Sequence, residues 1–551
     1  MGINELWPLL EPAAVSISLR ELVIQKGFVD NVRGDRTLWI GVDASHWLYA
    51  AQAHYRETAD PELSSLLLRC EHLARLPIKP HFVFDGDRRP CVKRNKAVAE
   101  TDMWAMEPFK HILDSYGFRH SVAVWEAEFE LALMSKAGTI DLVLTEDLNS
   151  MLFGAWQVAK EHGKAHTQYS DLILYRRTDV ENHPALGFTS GDLIFIAIMS
   201  SGDYLKGLDG SGIHIFSQLA RAGFGRRLIN GVQDGSDNSR NQFLHEWRKD
   251  VRSELRTNSK AYLTTCHPIL ADSIPDNIPD LAGLDLYLRP VNREHDFSPA
   301  LTLPCGETQA ASMTQFVTTH FSWGNDAKAV FNCYKNALFP SIAFRQLIQS
   351  TVDMDNGCAV AGLCCPMIGT ILMERTCAET FLAEVRVLLV IPSNLIRQIC
   401  IDLDSPAPGE HIIAEIKATC KTYSAWLPSV IVKAVRPDLF VEYERISAAS
   451  LNGTIDITAV SSSGVAQRTH KRKRGRRNTT KLICGSDGEV RDLSSEEYST
   501  SESNDDCPPA ISTAPKAIRK RSRHDTSQPV YTSGGTEIVD ISSEDYSSSD
   551  E

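Results

Sequence analysis

Three near-continuous apolar runs, each closing on an aspartate, constrain this chain more than any other feature: LWIGVD (38–43), HFVFD (81–85) and DLVLTED (141–147). Runs rich in β-branched and aromatic residues, with little polar alternation, belong to strands buried on both faces, as in a parallel sheet. Between the first two lies ELSSLLLRCEHLARL (62–76), whose leucines recur at the i, i+3, i+4 spacing of an amphipathic helix. Strand, helix and strand in repetition, over residues 1 to about 265, predict an α/β domain with a mainly parallel sheet.

Beyond it the pattern changes. Residues 268–304 are rich in Pro and Asp and read as an extended connection over the surface. A helical segment follows at 331–349, then a β-rich stretch at 383–392 (AEVRVLLVIP) and an aromatic-containing stretch at 423–444. From 447 to 551 large apolar residues become rare, and such a segment cannot bury enough surface to offset its ordering entropy, so it is predicted disordered. The domain boundaries expected on these grounds are 1–100, 101–200, 201–265, 266–366, 367–446 and 447–551.

Several classes are excluded by what the chain lacks. No apolar run is long enough to cross a bilayer, and MGINELWPLLEPA has neither the basic start nor the apolar stretch of a secretory signal. Gly2 suits myristoylation, but Leu6 stands where that signal needs Ser or Thr. The thirteen cysteines form no CxxC pair and no zinc-spaced cluster, as expected of reduced, buried thiols. A net charge of −13 decides little about nucleic acid, because affinity for phosphate follows local basic patches.

In an open parallel sheet, function collects at the carboxyl ends of the strands, which is where Asp43, Asp85 and Asp147 stand. Glu126 and Glu128 lie close together in WEAEFELALMSKAG, where a helical pattern begins. Two residues apart they would diverge within a helix, yet at its first turn both can face one pocket. A sixth acid, Asp203, precedes a glycine-rich turn in MSSGDY. Any one such aspartate is more often a cap or turn residue. Six acids delivered from several elements are better explained as hard oxygen ligands for Mg²⁺ or Mn²⁺. No GxxxxGK[ST] loop is present to suggest nucleotide hydrolysis instead.

Gly210 and Gly212 come immediately before a helical pattern, where backbone N–H groups can approach a phosphate; the bland alternative is a tight turn. The run RRPCVKRNK places Arg88, Arg89, Lys93, Arg94 and Lys96 just past Asp85, as a cationic gateway over the acids or a solvated basic face.

Taken in order, GVDASHWLY, FVFDGDRRP, WEAEFELALMSKAG, TEDLNSMLFG and SSGDYLKGLDGSGIHIFSQLARAGFG resemble the flap-endonuclease/XPG superfamily over roughly residues 1–260, and the MGI start belongs to the same pattern. Only about 40 residues separate Asp85 from Glu126, a spacing similar to that of the GEN/Yen-type Holliday-junction-resolving branch. PDLAGLDLYLRPV (279–291) and HFSWGNDAKAVFNCYKNALFPSIAFR (320–345) resemble its fungal members. The resemblance implies a PIN-like nuclease core, a helix–two-turn–helix DNA-binding subdomain and a small chromodomain-like β module at 367–446. Within that module Tyr423 and Trp426 are read as core aromatics rather than a methyl-lysine cage.

It further implies hydrolysis of branched double-stranded DNA with two divalent metals. Asp43, Asp85, Glu126 and Glu128 would serve mainly one, and Asp147 and Asp203 the other. Asn149 stands where the family carries a second aspartate, so the second metal is expected to bind more weakly. A K⁺ ion is implied at the helix–two-turn–helix, where His214 replaces the usual lysine, and a dimer is implied on four-way junctions. The competing expectation, from Asn149, is a catalytically weakened DNA-junction binder or scaffold.

In the tail, Lys471, Arg472, Lys473, Arg474, Arg476 and Arg477 form a basic cluster of nuclear-localisation type, which predicts a nuclear protein. EIVDISSEDYSSSDE (537–551), an approximate repeat of EVRDLSSEEYSTSE (489–502), resembles a SUMO-interacting motif through Ile538, Val539 and Ile541.

Overall fold

The computed structural model describes residues 6–52, 61–89, 92–93, 96–97, 104–162, 171–200, 202, 207–208, 212–288, 306–378, 380–403, 410–451, 482–484 and 490–492. The chain divides into two units, 1–496 and 497–551, and the second lies wholly outside the described residues.

Seven strands make the central sheet: β1 (Ala14–Ser18), β2 (Leu38–Asp43), β3 (Ile78–Phe84), β6 (Arg119–Val122), β7 (Leu142–Leu144), β8 (Gln157–His162) and β9 (Asp171–Arg176). A separate short pairing joins β4 (Val92–Lys93) to β5 (Lys96–Ala97) within the basic run. Across the sheet the order is β1-β9-β8-β7-β2-β3-β6; the five strands from β8 to β6 are parallel, β9 runs antiparallel to β8, and β1 runs antiparallel to β9. The expected parallel sheet is present, and LWIGVD is β2 to the residue. From β2 the chain builds outward to β3 and β6, then returns to place β7 on the other side of β2. That reversal opens a crevice at the carboxyl ends of β2 and β7.

Helices cover both faces. α1 (Leu6–Leu10) and α2 (Leu19–Leu22) flank β1, and α3 (Ala44–Gln52), α4 (Pro61–Ala74) and α5 (Met106–Ser115) pack on one side. Ile40, Val42, Phe82 and Phe84 point to that side and are buried there with Trp47, Leu66 and Phe109. Alternate residues, Val83, Val143 and Val158, point to the other side, against α6 (Ala127–Lys136), α7 (Asn149–Leu152) and α8 (Arg177–Asn182). Gly41 in mid-β2 explains how closely α6 approaches: a Cβ there would lie 2.5 Å from Leu131 Cδ2 and from Ile140 Cδ1.

Four helices follow: α9 (Ser190–Met199), α10 (Ile213–Arg221), α11 (Phe224–Val232) and the long α12 (Asp237–Thr257). The segment expected to be extended from 268 is corrected by α13 (Pro268–Ser273) and α14 (Leu281–Leu288). Leu284 and Tyr287 are buried, and Arg248 donates to the carbonyls of Ile278 and Pro279, so apolar burial and a side-chain donor order this stretch despite its prolines.

Next come α15 (Ala310–His320), α16 (Ala327–Asn336) and α17 (Leu338–Asp355), then an antiparallel sheet of β10 (Ile368–Thr376), β11 (Ala383–Leu389) and β12 (Ser424–Pro428). α18 (Ser393–Asp402) and α19 (Glu410–Cys420) stand between its strands, and α20 (Ser429–Val435) and α21 (Pro437–Leu451) after them. Tyr423 is buried against Phe339, whereas Trp426 is partly open and carries the Arg375 guanidinium over its ring at 3.9 Å. The boundary expected at 447 is corrected at its start, and a short strand pair lies further on. α21 runs on to Leu451, held by buried Leu439 and Phe440, and β13 (Leu482–Cys484) pairs with β14 (Val490–Asp492). No helix among the described residues is long and apolar enough to cross a membrane.

Candidate active site

Asp43 ends β2, Asp85 follows β3 directly, and Asp147 comes three residues after β7. Because β2 pairs with both of the other strands in parallel, all three acids leave the sheet at the same end. Glu126 is the N-cap of α6 in extended backbone (φ −104°, ψ 145°), and Glu128 lies in its first turn. Asp43, Glu126, Glu128, Asp147 and Asn149 are all buried, and Asp85 is partly open.

The local hydrogen bonds show how the sequence holds these groups. Asp43 accepts the His46 N–H on Oδ1 (3.1 Å) and the Thr145 hydroxyl on Oδ2 (3.0 Å). Thr145 Oγ1 also accepts the Asp147 N–H (3.0 Å), and Asp147 Oδ1 accepts the Asn149 N–H (2.9 Å) at the start of α7. Asp85 Oδ1 accepts the N–H of Ala127, the residue between the two glutamates (3.0 Å), and its own N–H donates to Ser45 Oγ (3.3 Å). Ser150 Oγ donates to the Glu128 carbonyl (3.3 Å), tying α7 to α6. These hydrogen bonds together tie the ends of three strands to the starts of three helices, α3, α6 and α7.

Burial, followed by repulsion from Asp85 and Asp147, pushes the Asp43 carboxyl up to about 7, against the lowering effect of its two hydrogen bonds. Carboxylates gathered this way are an arrangement that a divalent cation stabilises, and the donors are the hard oxygens that Mg²⁺ and Mn²⁺ prefer. Among the described residues no three acidic, imidazole or thiol groups are arranged, as they stand, to hold one ion. In this arrangement Asp43, Asp85 and Asp147 each turn at least one oxygen onto a protein donor.

The sequence-predicted residues distribute unevenly around this cluster. Arg89 makes an ion pair with Asp85 (3.4 Å) and Arg88 is exposed, so the basic run does begin beside the acids. Lys93 and Lys96 lie on the β4–β5 pairing, while Arg94 lies outside the described residues. Gly212 is the N-cap of α10 with φ −71°, a conformation open to any residue, and among the described residues a Cβ there would meet nothing within 4 Å. A turn therefore does not require glycine at 212, whereas room for a ligand would use it. His214 is exposed in the first turn of α10. Asp203, Gly210, the 471–477 cluster and Ile538, Val539 and Ile541 lie outside the described residues.

Sequence reasoning missed Thr145 and Ser45, whose hydroxyls brace the acids. Both sit two residues from one of the aspartates, in TED and DAS, a spacing at which short hydroxyl side chains meet local backbone.

Comparison with known proteins agrees with this geometry. The XPG N-terminal domain matches residues 1–102 and the XPG I-region matches 117–203. Human "Flap endonuclease GEN homolog 1" is 28% identical over 269 residues, which cover 44% of this chain and 28% of that protein, little more than a quarter of its length. The fold is similar to that of a Holliday junction-resolving enzyme GEN1 solved with product DNA and Mg²⁺: TM-score 0.59, 25% identity, 80% of this chain and 99% of that one. A second GEN-1 structure, described as binding potassium, is similar at TM-score 0.58 and 26% identity, with the same 80% and 99% covered. With both XPG regions matched in chain order over the strand ends that carry the acids, this chain is similar to the flap-endonuclease/XPG superfamily of nucleases and, within it, to GEN-type members.

Proposed function

We propose that this chain is a metal-dependent, structure-specific endonuclease that hydrolyses phosphodiesters in branched DNA, 5′ flaps and Holliday junctions, in repair and recombination. The observation that carries the reading is the carboxylate cluster at the reversal point of the sheet, where Asp85 and Asp147 act with burial to raise Asp43. Asp43, Asp85, Glu126 and Glu128 would hold one Mg²⁺, and Asp147, Asn149 and Asp203 a second, with Mn²⁺ able to replace it. Such a pair, when bound, supplies an activated water and stabilises the leaving oxygen. The chain's own residues do the rest. Thr145 and the His46 N–H keep Asp43 in register, Asp85 fixes the start of α6 so that both glutamates stay at the cleft, and Arg88 and Arg89 meet the incoming phosphate. Gly212 and His214 present the α10 N-terminus to the duplex backbone, and a K⁺ would be held at the helix–two-turn–helix.

The same reading gives branched double-stranded DNA as partner, with a dimer on four-way junctions, nuclear residence through Lys471 to Arg477, and SUMO contact through Ile538, Val539 and Ile541. Asn149 supports a second reading, a catalytically weakened junction-binding or scaffold protein, because a buried neutral amide replaces a charge. Purified protein is to be offered labelled 5′-flap and four-way-junction DNA with Mg²⁺, Mn²⁺ or EDTA. Metal-dependent incision of either supports the nuclease. Tight binding with no incision in any metal leaves the scaffold reading standing and defeats the nuclease.

A further inference from the structure

Helix α9 opens with a capping box. Asp192 Oδ2 accepts the Thr189 N–H (2.9 Å) and hydroxyl (2.7 Å), and Thr189 Oγ1 accepts the Asp192 N–H (3.3 Å). A cap asks no more of an aspartate than this. Asp192 nevertheless makes two more bonds, to a residue 34 positions away: Oδ1 accepts the Arg226 N–H (3.1 Å) and Oδ2 accepts Arg226 Nε (2.8 Å). The carboxylate is 0% exposed, and the Arg226 guanidinium is turned toward it by a further bond to the Gly187 carbonyl (2.7 Å).

The helices meet closely at this point. A Cβ on Gly225 would lie 2.7 Å from Asp192 Cα, and one on Gly191 would lie 3.1 Å from Ile229 Cγ1. Two glycines thus let α9 and α11 cross almost backbone to backbone. Beside the crossing, the Phe195 ring meets Phe216 at 6.1 Å and Trp247 at 5.8 Å, and Trp247 Nε1 donates to the Phe224 carbonyl (3.1 Å). The α10–α11 hairpin is therefore fastened at its closed end. Its other end, at Gly212, follows the 200–212 segment that carries Asp203 and leaves the far end of α9.

We propose that Asp192 is a positioning residue that pins the DNA clamp to the nuclease core. By holding Arg226 and the start of α11, it keeps the Gly212 end of α10 at a fixed distance from Asp43 and Asp85. A duplex arm gripped at one end is then presented to the acids at the other. A charge this deeply buried and shared between a helix cap and a neighbouring element resists sliding, because breaking it leaves an unpaired buried carboxylate. The proposal rests on the reading of the chain as a branched-DNA nuclease, and part of its test needs no DNA.

The full chain is to be compared with Asp192→Ala, Asp192→Asn and Arg226→Gln. In DNA-free protein, hydrogen exchange over 213–232 should quicken by about tenfold in Asp192→Ala, less in Asp192→Asn, while β2 and β3 stay as protected as before. In cleavage, KM for a four-way junction with long arms should rise by about tenfold, with kcat changed less. A junction whose arms are cut back to a few base pairs, too short to reach the clamp, should show no such rise. Arg226→Gln, at a half-exposed position, should move both readouts the same way if Asp192→Ala fails to fold. Unchanged exchange over 213–232 in the folded variants overturns the proposal, and so does a KM rise equal on long and short arms. A wild type that neither binds nor cuts branched DNA defeats the nuclease reading instead, and the exchange measurement still decides the joint.

Discussion

The two ends of the central sheet treat the same side chain in opposite ways. At the amino ends of the strands, Asp35 accepts Lys79 Nζ (2.7 Å) and Trp39 Nε1 (2.6 Å), and Asp141 pairs with Arg33 (2.7 Å) while accepting the Trp39 N–H (2.9 Å). Partial burial works to raise Asp35, but the bonds from Lys79 and Trp39 outweigh it and hold its carboxyl below the usual value. At the carboxyl ends, Asp43 is buried among other acids and is pushed up to about 7. One end completes its charges within the protein and serves stability. The other crowds like charges together, which is destabilising in isolation and useful only when something positive arrives.

The largest expected effect falls on the second end. Asp85→Ala or Glu126→Ala should lower cleavage by on the order of 10²–10³-fold or more, since a lost ligand removes stabilisation of the transition state. Circular dichroism and junction binding should stay near wild type, and undiminished cleavage in both variants would remove these residues from the site.

Asp43→Asn should abolish cleavage and yet stabilise the metal-free protein. The folded carboxyl binds its proton more tightly than the unfolded one, so stability is fullest near pH 4 and falls as pH rises toward about 7. Replacing it with an amide removes that loss, with a ceiling of roughly 4 kcal/mol above pH 7. Denaturant melts from pH 4 to 8 in EDTA decide it, and a variant less stable than wild type at pH 8 would contradict burial and carboxylate repulsion as the origin of the shift.

At the opposite end the sign reverses. Asp35→Asn should cost about 1–2 kcal/mol at pH 7, discounted for its partial exposure, and leave the metal dependence of cleavage alone. Its contribution is present above the ordinary aspartate range and disappears as pH falls through the lowered folded value. If Asp35→Asn shifted the metal requirement, the two ends would not be separate in function.

The smallest effect concerns Asn149. Asn149→Asp adds an anion beside Asp147 and should lower the Mg²⁺ needed for half-maximal cleavage by a few fold, about 1 kcal/mol, with Mn²⁺ favoured over Mg²⁺ in the wild type. Identical metal titrations would place Asn149 away from the second metal.

Much of this contrast was legible in the sequence. LWIGVD, HFVFD and DLVLTED announced buried parallel strands and put an acid after each, because period and polarity are local properties of the chain. The hydroxyls of Thr145 and Ser45 were not legible, since what they brace lies on another strand as well as in their own turn. Asp192 was hidden by a simpler local role: TSGD spells an ordinary helix cap, and nothing near it announces Arg226. The helices at 268–288 were obscured by Pro and Asp, whose local preference is overridden by the burial of Leu284 and Tyr287.

Gly41 has one more consequence. With no side chain between β2 and α6, the strand that ends in Asp43 and the helix that starts at Glu126 and Glu128 rest on each other through Leu131, with Ile140 of the segment after α6 beside them. The close approach of strand and helix beside the acids thereby rests on a missing methyl group in the middle of a strand, away from every carboxylate of the cluster. An alanine at 41 would press on the ends of the Leu131 and Ile140 side chains without touching a carboxylate. Its signature would be a changed preference between a small ion and a larger one, Mg²⁺ against Ca²⁺, in a protein that still folds.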